Sequence, residues 1–149
     1  MDGFMKVVRD LTLLAARIVA GVVLVAHGWH RWQVAGLETQ VELLRDAGLP
    51  AVSGLAVLTI LFEVVGGTLL VFGLGTPLIG LGMVAMNVAT ILTTKAGNGF
   101  YQFTNGWEYN LVLAALGLLL LAFGSGRLGL DPLFRRPPRD AENLIGEGP

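Results

Sequence analysis

Long apolar runs separated by short polar segments constrain this chain more than any other feature. They occupy residues 11–29, 51–72, 78–94 and 107–123. A helix rises 1.5 Å per residue, so about 20 residues cross the roughly 30 Å hydrocarbon core of a bilayer. Only 14% of the residues are charged, compared with about a quarter in a soluble domain. The pattern predicts an all-α, integral membrane four-helix bundle.

The polar segment between the first two runs carries a helical pattern of its own. Leu37, Val41 and Leu44 fall on one face of a helix, and acidic and basic residues occupy the other faces. Gly48 and Pro50 follow in the order that commonly ends a helix. We therefore predict a short amphipathic helix at the membrane interface, between helices one and two.

The apolar runs also suggest domain limits and an orientation. Residues 1–134 are predicted to form one transmembrane domain, and residues 135–149 a polar, flexible cytoplasmic tail. We interpret the first run as an uncleaved helix, because it is long for a signal peptide. Basic residues are more numerous in the terminal segments than in the opposite loops, which carry Arg31, Arg45 and Lys95. The positive-inside rule then places both termini of this multi-pass protein in the cytoplasm.

Charge and residue usage exclude several classes of function. The formal net charge of −1 argues against binding to nucleic acid, which requires a basic surface. The chain has no cysteine, so it offers no thiolate for an iron–sulfur cluster, a zinc site or thiol–disulfide chemistry. His27 and His30 lie on one helix and cannot take opposite axial positions on one haem. We predict no metal or haem, with zinc bound by these two histidines and Glu108 as a minor alternative.

Two charged residues lie in the interior of the apolar runs, where an isolated charge is unfavourable by about 2.5–3.5 kcal/mol. Arg17 is in the first run and Glu63 near the middle of the second. Counting along antiparallel helices puts both in the cytoplasmic half, so we expect them to form an ion pair. The alternative is that Arg17 extends along its own stem toward the interface. Asn87, in the third run, is a further polar residue that packing alone does not require.

The segment from Lys95 to Asn110 is rich in glycine, amide and aromatic residues and ends where the fourth run begins. Glu108 stands at that point and could simply stabilise the helix N-terminus. The functional alternative is that it contacts His27, Arg31 or Lys95 under the loop and forms a polar pocket. We assign no catalytic residue, but we predict a quinone-binding or other polar pocket that draws on Arg17, His27, Glu63, Asn87, Lys95, Phe100 and Glu108.

Several separated motifs resemble those of one family. The motifs are Arg17, His27-Gly28, Ala47-Gly48-Leu49-Pro50, Glu63-Val64-Val65-Gly66-Gly67, Phe72-Gly73-Leu74-Gly75-Thr76, Asn98-Gly99-Phe100, Asn105-Gly106, Glu108, Gly124-Ser125-Gly126-Arg127 and Leu130-Asp131. In this order and spacing, from Val8 to Phe134, the chain resembles the DoxX family of small four-helix bacterial membrane proteins. It differs at Arg31, where lysine is common, at Pro77, where arginine is common, and at Lys95, where histidine is frequent.

The resemblance implies a role in redox systems. Relatives include a subunit of an archaeal thiosulfate:quinone oxidoreductase and membrane anchors for thiol-stress and superoxide-detoxifying proteins. We therefore expect a membrane subunit linked to quinone (menaquinone or ubiquinone) or to thiol and oxidative stress, with other membrane or redox proteins as partners. The partner would supply the redox centre, and whether this chain is itself an enzyme stays open. The alternatives are an accessory or assembly protein of a respiratory complex and, less favoured because no inverted repeat is visible, a small transporter subunit.

Overall fold

The structure is a computed structural model that describes residues 2–134, except for the side chain of Asp2. The predicted tail at 135–149 lies outside the described residues. Within them the chain is helical and contains no strand. The predicted all-α bundle, with a short helix between the first two long helices, is confirmed. The helices are α1 (Asp2–Trp29, continued by a π-helical turn at His30–Val34), α2 (Leu37–Asp46), α3 (Val52–Phe72), α4 (Thr76–Lys95), α5 (Glu108–Phe123) and α6 (Asp131–Phe134).

The outer surface of the bundle is apolar. The segment 3–34 and helices α3 and α4 are long and apolar enough to cross a membrane. Helix α5 has 16 residues, or about 24 Å at 1.5 Å per residue, and is shorter than a full crossing. Large apolar side chains lie on the outside, among them Val19, Leu58 and Leu92 at 60%, 62% and 70% exposure. Such continuous apolar exposure suits contact with lipid.

Two helix pairs are held together by close approach at glycines. In the α1–α3 pair, a Cβ atom on Gly21 would lie 2.6 Å from the carbonyl oxygen of Gly67. In the α4–α5 pair, a Cβ on Gly80 would lie 2.7 Å from the carbonyl oxygen of Gly117. Only glycine allows the backbones to come so close, which is a common way for membrane helices to pack. These two crossings set the depth at which residues on facing helices meet.

The two pairs meet in a small apolar core. Leu24 of α1, Leu70 of α3, Met83 of α4 and Leu120 of α5 are all at most 1% exposed. The second half of α3 packs against α1 and α4, whereas its first half packs mainly against α2. Because α3 and α4 are close at only one end, a space opens between them at the other.

The end of the bundle that contains the α3–α4 turn is closed by the segment that follows α5. Both carboxylate oxygens of Asp131 accept hydrogen bonds at the start of α4, from the backbone N–H of Gly75 at 2.6 Å and of Thr76 at 3.1 Å. The backbone N–H of Asp131 donates in turn to the carbonyl of Gly73 at 2.9 Å. Gly73 has a φ of 71°, a left-handed conformation that glycine adopts readily. The chain segment after α5 is thereby attached to the α3–α4 turn.

Candidate functional site

A cleft of about 420 Å³ opens between the first half of α3 and α4, under α2. This volume is within the range of about 300–1,000 Å³ that small-molecule sites occupy. The ring of Phe62 packs against Gly82, where an added Cβ atom would overlap the ring, and forms one wall. Threonines from both helices add hydroxyl groups to an otherwise mainly apolar lining, with Arg31 and Gln40 at one end. The lining residues are Arg31, Gln40, Leu43, Leu44, Leu49, Leu55, Ala56, Leu58, Thr59, Phe62, Gly82, Ala85, Met86, Ala89, Thr90, Thr93 and Thr94.

Arg31 connects three parts of the fold at the polar end of this cleft. Its Nε lies 3.0 Å from Oε2 of Glu63 on α3. Its Nη1 donates a hydrogen bond of 2.8 Å to Oε1 of Gln40 on α2. The Glu63 side chain is only 3% exposed, whereas that of Arg31 is 31% exposed. The carboxylate therefore lies behind the guanidinium, and Arg31 presents the charge to the cleft.

The predicted ion pair between Arg17 and Glu63 is wrong. Gly28 of α1 packs against Glu63, whereas Arg17, three turns earlier, packs against Gly73. The ten positions of α3 that separate Glu63 from Gly73 correspond to about 15 Å along the helix. Arg17 is fully buried, and none of its guanidinium nitrogens has a hydrogen-bond partner among the described residues. The prediction failed because it counted depth from the ends of the apolar runs, whereas the glycine crossing of α1 and α3 sets the actual level.

Three charged residues near the cleft each occupy a π-helical turn. Arg31 lies in the turn His30–Val34, Glu63 in Phe62–Gly66 and Lys95 in Ile91–Lys95. A π turn inserts one residue into a helix, displaces the side chains that follow and is frequent at functional sites. Here the turns bring charged side chains from α1, α3 and α4 toward one end of the bundle.

A second buried polar group lies between α4 and α5. Nδ2 of Asn110 donates to Oδ1 of Asn87 at 2.9 Å, and Nδ2 of Asn87 donates to the carbonyl of Met83 at 2.8 Å. The neighbouring Tyr109 is partly buried and packs against the apolar core.

Four buried polar atoms around the site lack a hydrogen-bond partner among the described residues: Arg31 Nε, Glu63 Oε2, Tyr109 Oη and Asn110 Oδ1. Arg31 Nε and Glu63 Oε2 are close enough to form an ion pair, but they are not aligned for a hydrogen bond. Buried polar groups usually find a partner. Tyr109 Oη and Asn110 Oδ1 therefore retain the capacity to bind water or a polar ligand.

The predicted contact of Glu108 with His27, Arg31 or Lys95 is also wrong. Within residues 2–134 the Glu108 carboxylate forms no ion pair with any of the three. Lys95 instead holds the loop, because its Nζ donates to the carbonyl of Gly106 at 3.2 Å. The backbone N–H of Glu108 donates to the carbonyl of Phe100 at 2.9 Å. Glu108 therefore starts α5 without making the pocket that we expected.

None of the predicted site residues lines the cleft. His27 bonds to the carbonyl of Val23 on its own helix at 2.9 Å, and its ring stacks on Tyr109 with centroids 5.4 Å apart. Phe100 packs edge-on against Trp107 in the loop, with centroids 4.9 Å apart. Glu63 adjoins the cleft through Arg31, and Arg17 lies toward the opposite end. Whether any of them takes part in function stays a prediction.

Four residues of this region were not among the predicted site residues: Arg31, Gln40, Tyr109 and Asn110. A signal for Arg31 was present, because the face of α1 that carries Gly21, Leu24 and Gly28 reaches Arg31 one turn later. Gln40 had no such signal, since its role depends on how α2 folds back over the cleft.

The DoxX family model matches residues 12–96, which is more than half of the chain. The chain belongs to the DoxX family. The matched range includes every residue that lines the cleft, together with Glu63, Asn87 and Lys95. Helix α5, with Tyr109 and Asn110, lies beyond it.

One relative of this DoxX protein has a name that describes a function. The protein named "Putative oxidoreductase CatD" from Bacillus subtilis (strain 168) is 29% identical over 123 residues, which cover 83% of this chain and 87% of CatD. No solved structure matches the chain. Membership in DoxX, together with the apolar helices, makes this a membrane protein.

Proposed function

We propose that this DoxX protein is a quinone-binding membrane subunit of a redox system, in which a partner protein supplies the electrons. The observation that carries the proposal is the apolar cleft between α3 and α4 with the Arg31–Glu63 pair at its polar end. Membership in DoxX and the oxidoreductase name of the relative CatD support a redox role. We place the protein in the bacterial cytoplasmic membrane as part of the same proposal.

The residues of the cleft suit the chemistry of a quinone. A quinone has a flat ring with two carbonyl oxygens and an apolar tail, so its site needs hydrogen-bond donors at one end and apolar walls. The guanidinium group of Arg31 lies at the polar end of the cleft and is a donor suited to a carbonyl oxygen. Leu58, Ala85 and Ala89 line the cleft and are exposed on the outer surface. An apolar tail could therefore reach the cleft directly from the lipid.

Arg31 and Glu63 divide the remaining tasks. A bound quinone supplies the capacity to accept or release electrons together with protons. Arg31 would orient a carbonyl oxygen and hold positive charge beside it. Glu63, buried behind Arg31 at 3.0 Å, is a carboxylate that can hold or release a proton near that position. Phe62, packed on Gly82, gives the ring a flat apolar surface.

The proposal is tested by measuring bound quinone in the native protein and in a variant whose cleft is blocked. The full chain, purified in mild detergent, should carry menaquinone or ubiquinone in its lipid extract or bind added quinone. Ala85→Trp, which places an indole in the cleft, should remove this binding. Ala115→Trp is the matched control, because Ala115 is an exposed position of α5 outside the cleft. Arg31→Gln should weaken binding while the protein stays inserted.

Two results would overturn the quinone proposal. One is the absence of native quinone combined with no binding of added quinone by the intact protein. The other is quinone binding that Ala85→Trp leaves at the level of Ala115→Trp, since the quinone would then occupy another surface.

An accessory role without chemistry of its own is the second candidate, favoured by the loop before α5. Phe103 is 83% exposed, and its ring stacks on that of Tyr101 with centroids 5.2 Å apart. This aromatic surface is suited to a partner subunit, as aromatic residues are enriched at interfaces. A photo-crosslinker at position 103 that captures one defined membrane protein in cells, in a chain that binds no quinone, would favour this role.

A further inference from the structure

A second cleft, distinct from the proposed quinone site, lies at the opposite end of the bundle. It has a volume of about 470 Å³ and is formed where the first turns of α1 approach the segment after α5. Two arginines and apolar or small residues share its lining, which consists of Arg9, Leu13, Phe123, Gly126, Arg127 and Pro132.

The position of this cleft matches the boundary between lipid tails and headgroups. The helical segment 3–34 has 32 residues, or about 48 Å at 1.5 Å per residue, and so extends beyond the roughly 30 Å hydrocarbon core. Arg9 lies near its beginning, and Arg127 follows the end of α5 at Phe123. Leu13 and Phe123 continue the cleft toward the apolar part of the bundle. The cleft therefore offers positive charge on the polar side and apolar surface on the lipid side.

The surrounding charges leave this cleft positive. Asp10 lies beside Arg9, but Arg9 Nη2 and Asp10 Oδ1 are 4.0 Å apart and Asp10 is 8% exposed. Asp131 is engaged by the backbone N–H groups at the start of α4. Arg17 is buried one turn beyond Leu13 and adds a further positive charge behind the cleft. Among the described residues, three arginines thus lie close to two aspartates, and neither aspartate lines the cleft, although Asp10 Oδ1 lies near Gly126 at its edge.

We propose that the cleft between Arg9 and Arg127 binds the phosphate headgroup of an anionic phospholipid, with an acyl chain along Leu13 and Phe123. The two guanidinium groups can donate several hydrogen bonds to phosphate oxygens. The apolar part of the lining favours a lipid over a free phosphate, which would leave Leu13 and Phe123 uncovered. Basic pockets between membrane helices are a known type of lipid site. The inference does not depend on quinone binding.

Native mass spectrometry of the full chain in detergent tests the proposal, with phosphatidylglycerol and phosphatidylcholine as probes. The native protein should retain phosphatidylglycerol in preference to phosphatidylcholine. Arg9→Gln and Arg127→Gln should each reduce this preference about fivefold, the effect expected for one basic residue at a charged lipid surface. Arg9→Lys, which keeps the charge, should retain most of it. Arg45→Gln is the matched control, because it removes one exposed arginine from α2, far from the cleft.

Further outcomes distinguish lipid binding in this cleft from a general electrostatic attraction of anionic lipids to the protein. If Arg45→Gln reduces the preference as much as Arg127→Gln, the attraction is general and the site is overturned. If glycerol phosphate without acyl chains displaces phosphatidylglycerol at equal concentration, the cleft is an anion site and not a lipid site. A preference that survives the double Arg9→Gln, Arg127→Gln variant, which should still show the helical circular dichroism of the native protein, also contradicts the proposal.

Discussion

Nε of Arg31 lies 3.0 Å from Oε2 of Glu63, and this pair joins the end of α1 to the middle of α3. The carboxylate is buried and the guanidinium is partly exposed to the cleft. The same arginine reaches Gln40 on α2, so one side chain fixes the relative positions of three helices. It also allows Glu63 to be charged in a region where an isolated carboxylate would be unfavourable.

The first prediction concerns this pair. Arg31→Ala leaves a buried carboxylate without a partner, a change that costs about 3–5 kcal/mol in soluble proteins. We expect a clear fall in the temperature of unfolding in detergent, and Arg31→Ala combined with Glu63→Gln should recover part of it. Arg45→Ala, at an exposed position of α2, should have little effect. Losses that simply add in the double variant would mean that the two residues do not interact.

The sequence indicated that Glu63 needs a partner, but it did not indicate which residue that partner is. The apolar runs showed that Glu63 is inside the membrane and must be compensated. The choice between Arg17 and Arg31 depends on the axial register between α1 and α3. That register comes from the close contact of Gly21 with Gly67, and from α1 continuing to Trp29 and into the π turn that carries Arg31.

The second prediction concerns the crossing of α4 and α5. Gly80→Ala would place a Cβ atom 2.7 Å from the Gly117 carbonyl oxygen, so the two helices must move apart. We expect it to destabilise the protein by about 1–3 kcal/mol, as other overpacked sites do. Gly54→Ala is the matched control, because a Cβ there meets nothing within 4 Å and alanine is the better helix former. Equal unfolding temperatures for the two variants would show that the crossing is looser than described.

The third prediction concerns the amides between α4 and α5. Asn110→Leu removes the donor to Asn87 Oδ1 and leaves that oxygen without its partner on α5. Hydrogen bonds between membrane helices contribute about 0.6 kcal/mol on average and at most about 1.7. We expect a loss in that range from equilibrium unfolding in detergent. Asn87→Leu combined with Asn110→Leu should lose less than the sum of the two single changes, and a strictly additive result would argue against the bond.

The fourth prediction concerns the attachment of the last described segment. Asp131→Ala removes the acceptor for the N–H groups of Gly75 and Thr76. Loss of a helix cap costs about 0.5–2 kcal/mol, and the change also frees the segment after α5. Asp131→Asn keeps one acceptor oxygen and replaces the other with an NH2 group, so it can retain only one of the two hydrogen bonds and should lose less than Asp131→Ala. Proteolysis near residue 131 is the direct measurement, and equal cleavage of Asp131→Ala and native protein would contradict the attachment.

The sequence predicted the helices more completely than the cleft. Apolar runs and helix-ending residues such as Gly48 and Pro50 act locally, so the four long helices and the short α2 could be predicted in their order, whereas the short α6 was not predicted. The cleft exists because the first half of α3 packs against α2 and diverges from α4. No local sequence pattern predicts this divergence. The packing of Phe62 on Gly82, which closes one side, depends on two residues far apart in the chain.

The last prediction separates the two glutamates. Glu108 begins α5 and forms no ion pair with His27, Arg31 or Lys95 within the described part of the chain. Its contribution should be the interaction of a carboxylate with a helix N-terminus, about 0.3–1 kcal/mol. Glu108→Gln should therefore leave both quinone binding and the unfolding temperature nearly unchanged.

Glu63→Gln makes the same chemical change behind Arg31 and is the matched comparison. Under the proposed function it should remove the pH dependence of quinone binding while the protein stays folded, because the amide cannot take up or release a proton. Binding titrations at several pH values compare the two variants directly. If Glu108→Gln changes that pH dependence and Glu63→Gln does not, the proton-carrying group is at the start of α5, and the role assigned to Glu63 is wrong.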